Sequence, residues 1–169
     1  MGSMESLNEH IMEYSAQLRK GRIQKAYKGI MNFMSDMKGY LERKHPEQSS
    51  SSLYLGYMDM TYFAFTPPAL QNLKLKIAIV FLHEQCRFEL WLAASNRKLQ
   101  AHYIDLLSRK DLGGYTLSKI RPGEDSIIAS VIVEQPDFDN PEKLKKQIEA
   151  RTVEFAGDMV SILKEDYET

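Results

Sequence analysis

The segment from Leu73 to Leu92 constrains the fold more than any other part of the chain. Its apolar residues occupy alternate positions in both halves, and the phase changes across a short polar stretch in the middle. A period of two is typical of strands that bury one face. The segment therefore predicts an antiparallel hairpin whose apolar face consists of Leu75, Ile77, Ile79, Phe81, Cys86, Phe88, Leu90 and Leu92.

The register of this hairpin follows from the same alternation. A slip by one residue would bury Lys76, Arg87 and Glu89 among aliphatic side chains, at a cost of several kcal/mol for each unpaired charge. We expect a tight turn on His83 and Glu84, and Cys86 as an inert core thiol. The pairs are then Phe81 with Cys86, Ile79 with Phe88, Ile77 with Leu90, and Leu75 with Leu92.

Length and composition favour one soluble domain. The chain has 169 residues, of which 43% are hydrophobic and 27% are charged, as is usual for globular proteins. Residues 1–3, before Met4, resemble a cloning remnant, so we assign residues 4–169 to a single domain. The net charge of −1 gives no reason to expect nucleic acid or an anionic membrane as partner.

Several cellular settings are disfavoured by the sequence. A single cysteine cannot form an intrachain disulfide, so nothing requires an oxidising compartment. The N-terminal region carries acidic residues instead of a basic signal-peptide start, and no apolar run approaches the roughly 20 residues that a membrane span needs. We therefore expect a cytoplasmic protein with no membrane association.

The remaining segments predict an α+β domain with a mainly antiparallel sheet around the central hairpin. Two N-terminal helices, a middle helix capped by Ser95 and a long C-terminal helix of roughly 25 residues pack against it. A central strand covered on both faces is expected over 53–66, and a buried strand over 127–133 whose direction is left open. The predicted helices cover 4–20, 23–44, the stretch from 95 to before Gly113, and the stretch from Asn140 onward, with a short edge strand over 115–120.

Polar and aromatic side chains gather on the hairpin face opposite the aliphatic one. Lys76, Arg87, Glu89 and Trp91 share this face. If the 53–66 strand pairs alongside with its odd-numbered residues on the same side, Tyr57, Asp59 and Thr61 join them. The sequence therefore locates acid, base and aromatic groups together at one place in the sheet.

Two interpretations of this polar face remain open. It is either a cross-strand ion-pair network or a pocket that uses Arg87 for an anion and an aromatic side chain for packing. The helix start at Asn96 and Arg97 could add an anion site, because free backbone donors lie there. The candidate binding residues are Tyr57, Asp59, Lys76, Arg87, Glu89, Trp91, Asn96 and Arg97.

Catalytic and metal motifs are weak. Asp59 and Glu89 have the strand placement of a metal-dependent nuclease with an Asp…Glu-x-Lys pattern, but Trp91 stands where the lysine should be. His83 is expected in an exposed turn and Cys86 in the core, so a thiol-based site is disfavoured. The four histidines lie on separate elements, which predicts no metal site and no cofactor.

Three segments resemble a family of small bacterial proteins of unknown function: YMDMTYFAFTP, LKIAIVFLHEQCRFELWLAASNRK and PDFDNPEKLKKQIE. The resemblance covers most of the chain and implies a bacterial cytosolic origin and a single domain, but no activity. Our leading hypothesis is a non-enzymatic module that binds a small anionic ligand or a protein. The alternative is a carboxylate-based enzyme, nuclease-like and with or without a metal, that uses Asp59 and Glu89. A homodimer is a further hypothesis.

Overall fold

The computed structural model describes residues 4–164, so the presumed cloning remnant lies outside the described residues. The fold is α+β, as expected, with one five-stranded sheet. The helices are α1 (Leu7–Arg19), α2 (Arg22–Lys44), α3 (Pro68–Gln71), α4 (Arg97–Leu107) and α5 (Pro141–Ile162). The strands are β1 (Ser49–Ser50), β2 (Met60–Thr66), β3 (Leu75–Leu82), β4 (Arg87–Ala94) and β5 (Ser126–Val133).

The sheet is antiparallel throughout, in the order β1-β2-β3-β4-β5. The predicted hairpin forms its centre, and Ile77, Ile79, Phe88, Leu90 and Leu92 are fully buried on one face. α2 and α5 supply most of the helical side chains that cover this face. Those helical core residues are Phe33, Met34, Met37, Leu41, Leu144, Ile148, Phe155 and Met159.

The predicted hairpin register is wrong by two residues. Ile79 pairs with Leu90 and Phe81 with Phe88, and the turn is a four-residue loop from His83 to Cys86. A two-residue turn needs positive φ at its central positions, which His83 and Glu84 disfavour, whereas a longer loop needs it less. A slip by two residues keeps every side chain on its face, so the alternation cannot detect it.

Cys86 is not a core thiol, contrary to expectation. It ends the hairpin loop with a φ of 51° and its side chain is exposed. His83, expected in an exposed turn, is instead half-buried: its ring lies 5.0 Å from that of Phe81 and 6.1 Å from that of Tyr27. The loop therefore folds its histidine inward and its cysteine outward.

The strand predicted over 53–66 begins only at Met60. Positive φ values at Gly56 and Met58 turn the chain before it, and a Cβ on Gly56 would lie 1.9 Å from the carbonyl oxygen of Met60. Odd-numbered residues of β2 face the core, because Phe63 pairs with Ile79 on the helix-covered side. The expectation that Tyr57, Asp59 and Thr61 join the polar face is therefore wrong.

Other differences are smaller. β5 is antiparallel and lies at the sheet edge, so Val131 remains 37% exposed. The cap of α4 is Asn96 instead of Ser95. Both N-terminal helices form, but α1 buries no residue. Within the described residues, no helix has the length and apolar character to cross a membrane.

Candidate functional site

A cavity of about 210 Å³ lies on the sheet face opposite α2 and α5, near the junction of β4 and α4. We call this side the open face. Its floor is made by Ala78 and Ala93, whose small side chains leave room above the strands. Tyr62, Lys76 and Trp91 stand around that floor. The cavity therefore exists because the hairpin alternates large and small residues on this face.

Within residues 4–164, two cations line the cavity, Arg97 and Lys76, and Lys76 is the one outside an ion pair. Its Nζ atom lies 5.9 Å from the centre of the Tyr62 ring, a distance at which a cation and an aromatic face attract each other. It has no carboxylate partner among the residues that the structure describes. Its charge is thus available to a ligand.

Trp91 is held in place by a buried carboxylate. Its indole Nε1–H donates to Oε1 of Glu89 at 2.8 Å, while Nε and Nη2 of Arg87 both lie 2.7 Å from Oε2. Glu89 is only 6% exposed, so its charge needs these two donors. The ion-pair network is therefore present, and it occupies Arg87, which pairs with Glu89 and does not line the cavity, contrary to the interpretation in which Arg87 binds an anion. Glu89 in turn fixes an aromatic wall of the cavity.

The far end of the cavity is closed by the start of α4. Asn96 accepts a hydrogen bond from the Leu99 backbone at 2.8 Å and so caps its own helix. Arg97 is bonded to Gln100 and to Asp125, 3.0 and 2.9 Å away. Both side chains are occupied by structural bonds, so they shape the cavity wall.

Tyr57 and Asp59 lie away from this cavity. The Asp59 carboxylate accepts a hydrogen bond from the Tyr57 backbone at 2.9 Å, and backbone donors of this kind, first that of Tyr57 and then that of Met60, lower the pKa of Asp59. The Tyr57 side chain is 89% exposed. The structure thus brings together Lys76, Trp91, Asn96 and Arg97 of the predicted set, with Arg87 and Glu89 behind Trp91.

Sequence reasoning missed several lining residues. Tyr62 was missed because the odd-numbered residues of this strand were expected on the polar face, whereas the even-numbered residues lie there. Gln100 is 2% exposed and donates to the backbone oxygens of Glu124 and Ser126, at 2.8 and 3.1 Å. The small residues Ala78 and Ala93 were a usable signal, since they interrupt a face of large side chains.

His83 has a structural environment at the other end of the hairpin. Its Nε2 lies 2.8 Å from the Thr61 hydroxyl, which itself donates to the Leu55 carbonyl oxygen at 2.7 Å. Burial lowers the pKa of His83, and nearby Asp59 only partly opposes this. A neutral imidazole that donates to Thr61 fits both observations.

No group of three or more histidine, cysteine or acidic side chains that could hold a metal ion occurs within residues 4–164. Glu89 directs one oxygen to Trp91 and the other to Arg87. The site is therefore a cavity lined by Lys76, by the ion pair of Arg97 and Asp125, and by aromatic walls, with a buried carboxylate behind one wall.

Comparison with known proteins identifies the family. The model of a domain of unknown function, DUF7000, matches residues 7–163. The chain belongs to this family. The family match spans every helix and strand described above. No curated protein matches the sequence, and no solved structure does either.

Proposed function

We propose that this DUF7000 protein is a non-enzymatic module that binds a small anionic ligand in the open-face cavity. The observation that carries the proposal is that two side chains line the same cavity. One is Lys76, a cation with no carboxylate partner among residues 4–164, and the other is Trp91, an indole whose orientation is fixed by Glu89. The proposal places the protein in a bacterial cytosol, which its single cysteine suits.

Fixing the indole has a cost that packing alone does not require. Burying Glu89 removes a carboxylate from water, and a hydrophobic residue of similar size would often serve stability as well. The network makes sense if the ring must stand at a defined angle, because polar contacts of a site need to be placed before the ligand arrives.

The chemistry of the cavity indicates the ligand class. Lys76 favours a carboxylate or phosphate, and Tyr62 and Trp91 favour a flat or apolar group beside it. The volume of about 210 Å³ is below the roughly 300–1,000 Å³ of drug-sized pockets. A ligand with a single ring and a single anionic group fits these limits.

The test uses benzoate and phenyl phosphate, with benzamide as the neutral match for benzoate. Trp91 is the sole tryptophan, so its indole N–H gives one assignable NMR signal next to the cavity. We expect the two anions to shift this signal saturably and benzamide to shift it at least ten times more weakly.

Lys76→Met separates this site from non-specific attraction. We expect it to weaken anion binding at least tenfold, whereas Lys98→Met, an exposed lysine on α4 outside the lining, leaves binding unchanged. Equal loss in both variants, or no movement of the indole signal with any probe, would remove the proposal.

A further inference from the structure

A second surface lies at another part of the molecule, where exposed apolar side chains concentrate. Most of the large exposed hydrophobic residues belong to two short segments, one running through α1 to the start of α2 and the other preceding β2. They are Met4, Leu7, Ile11, Met12, Tyr14, Ile23, Tyr54, Leu55, Tyr57 and Met58. Clusters of this kind mark interaction sites on soluble proteins.

The two segments meet around His83. Tyr27, one turn beyond Ile23 on α2, stacks on the His83 ring at 6.1 Å. On its other side His83 reaches Thr61, whose hydroxyl binds the carbonyl of Leu55. The beginning of α2 and the loop before β2 therefore lie on either side of His83.

α1 has a well-formed start and contacts α2, but it buries none of its residues. Ser6 and Glu9 form a complete capping box, yet Leu7, Ile11 and Tyr14, which share one stripe, are 72%, 48% and 55% exposed. A 13-residue helix is marginal in water without tertiary packing of its apolar face. The apolar stripe of α1 therefore needs a partner surface that covers it.

Charges identify that partner surface. Residues 4–18 carry acidic side chains and no lysine or arginine, whereas residues 19–28 carry basic side chains and no acid. The basic group includes Arg22 and Lys25 in the first turn of α2, where the helix dipole disfavours cations. The acids are Glu5, Glu9 and Glu13, and the bases are Arg19, Lys20, Arg22, Lys25 and Lys28.

A surface with separate acidic and basic halves is complementary to its own copy. A two-fold axis places the acidic half of one chain against the basic half of the other in both directions. We propose that the protein forms a homodimer through α1 and the start of α2, arranged antiparallel across such an axis, with the apolar stripes in contact.

The stripe is tested by light scattering coupled to size-exclusion chromatography and by sedimentation over a concentration series. The wild-type chain is expected to be a dimer. Ile11→Glu should raise the dissociation constant at least 100-fold, while Ile120→Glu, at a 61% exposed position outside this surface, should leave it within threefold. Because α1 buries nothing, circular dichroism should show that the Ile11 variant is folded.

The charge pattern is tested by a pair of variants that need no change in the stripe. Glu5→Lys/Glu13→Lys gives both halves a net positive charge, and Arg22→Glu/Lys25→Glu/Lys28→Glu gives both halves a net negative charge. Each alone should be a monomer through self-repulsion, and an equimolar mixture should form a heterodimer.

Three outcomes would overturn the dimer. They are a wild-type chain that is monomeric at every concentration, a dimer that tolerates Ile11→Glu, and charge variants whose mixture does not associate. Binding of a monomeric wild-type chain to phosphatidylglycerol vesicles would instead assign the surface to a membrane. Ligand binding at Lys76 is measured separately, so it survives or fails independently of these results.

Discussion

The two faces of the central hairpin are built from alternate residues of the same strands, yet they do different things. The covered face is aliphatic and aromatic, with Ile79, Phe81, Phe88 and Leu90 at 0–1% exposure under α2 and α5. The open face carries Lys76, alanines, Trp91 and a buried glutamate. Each position on the covered face is filled to exclude water, whereas the open face leaves a space.

The two faces therefore contribute differently to stability and to ligand binding. A covered-face side chain contributes through the area it removes from water, at roughly 25 cal/mol per Å². An open-face side chain such as Trp91 is oriented by hydrogen bonds that add little net stability. Substitutions on the two faces should therefore have opposite consequences for folding and for ligand binding.

The largest effect is expected for Phe88→Ala on the covered face. The Phe88 ring is fully buried and lies within 5.0 to 6.0 Å of the rings of Phe33, Phe81 and Phe138. Its loss leaves a cavity and should lower the free energy of unfolding by about 3–5 kcal/mol, measured by urea denaturation. A loss below about 1 kcal/mol would mean that the covered face is not the stabilising one.

Arg87→Ala tests the network behind the open face. It leaves the Glu89 carboxylate buried with only Trp91 as donor. Because Arg87 is 35% exposed, water replaces part of the ion pair, and we expect a loss of about 1–3 kcal/mol in unfolding free energy. In the Arg87→Ala background, Glu89→Gln should recover part of this loss, since the unpaired charge is gone.

One result would contradict the prediction for the Arg87–Glu89–Trp91 network. If Arg87→Ala unfolds within about 0.5 kcal/mol of wild type and the Trp91 indole signal does not move, Glu89 does not depend on Arg87. The open face would then be ordinary solvent-facing sheet.

The faces of the hairpin were predictable from sequence, and its register was not. Alternation fixes side-chain parity, so Ile79 and Phe88 were correctly assigned to one dry face. Parity repeats every two residues, and only the turn could distinguish the two registers. The turn depends on backbone conformations such as the φ of 51° at Cys86, which residue type indicates poorly.

The candidate site was predictable in part for the same reason. Lys76 and Trp91 lie on the hairpin, where parity is reliable, and both line the cavity. The predicted positions of Tyr57 and Asp59 depended on a strand that continues through Met58, whose positive φ belongs to a turn. The exposure of α1 could not be predicted from the sequence. An amphipathic stripe indicates that one face of a helix is buried, but not whether its own chain buries it.

Glu149 lies on the covered side and, like Glu89 on the open face, is a carboxylate whose two oxygens both contact other side chains. Tyr40 donates to one of its oxygens and His45 lies at the other, each at 2.8 Å, and so they join α2 to α5. Burial alone would raise the pKa of Glu149, but these hydrogen bonds outweigh it and lower the pKa below the ordinary 4.5. The contribution to stability is therefore complete above about pH 4.5 and is lost as pH falls through the lower folded-state pKa.

Glu149→Gln should cost about 1 kcal/mol near pH 6, and the gap to wild type should close as the pH falls through the folded-state pKa. Denaturation at a series of pH values measures it, with the exposed Glu154→Gln on the same helix as control. A gap that widens on acidification would reverse the sign and contradict the assignment of donors.

Lys76→Met should have the smallest effect on folding. The side chain is half-buried and has only the Tyr62 ring as a charge partner among residues 4–164, and methionine retains most of its apolar stem. The unfolding free energy should stay within about 0.5 kcal/mol of wild type, whereas binding of benzoate and phenyl phosphate falls at least tenfold. This variant separates folding from binding most directly, because replacing a lysine that stabilises the fold would lower stability and binding together. A large loss of stability with unchanged binding would assign Lys76 to the fold and remove its proposed role in anion binding.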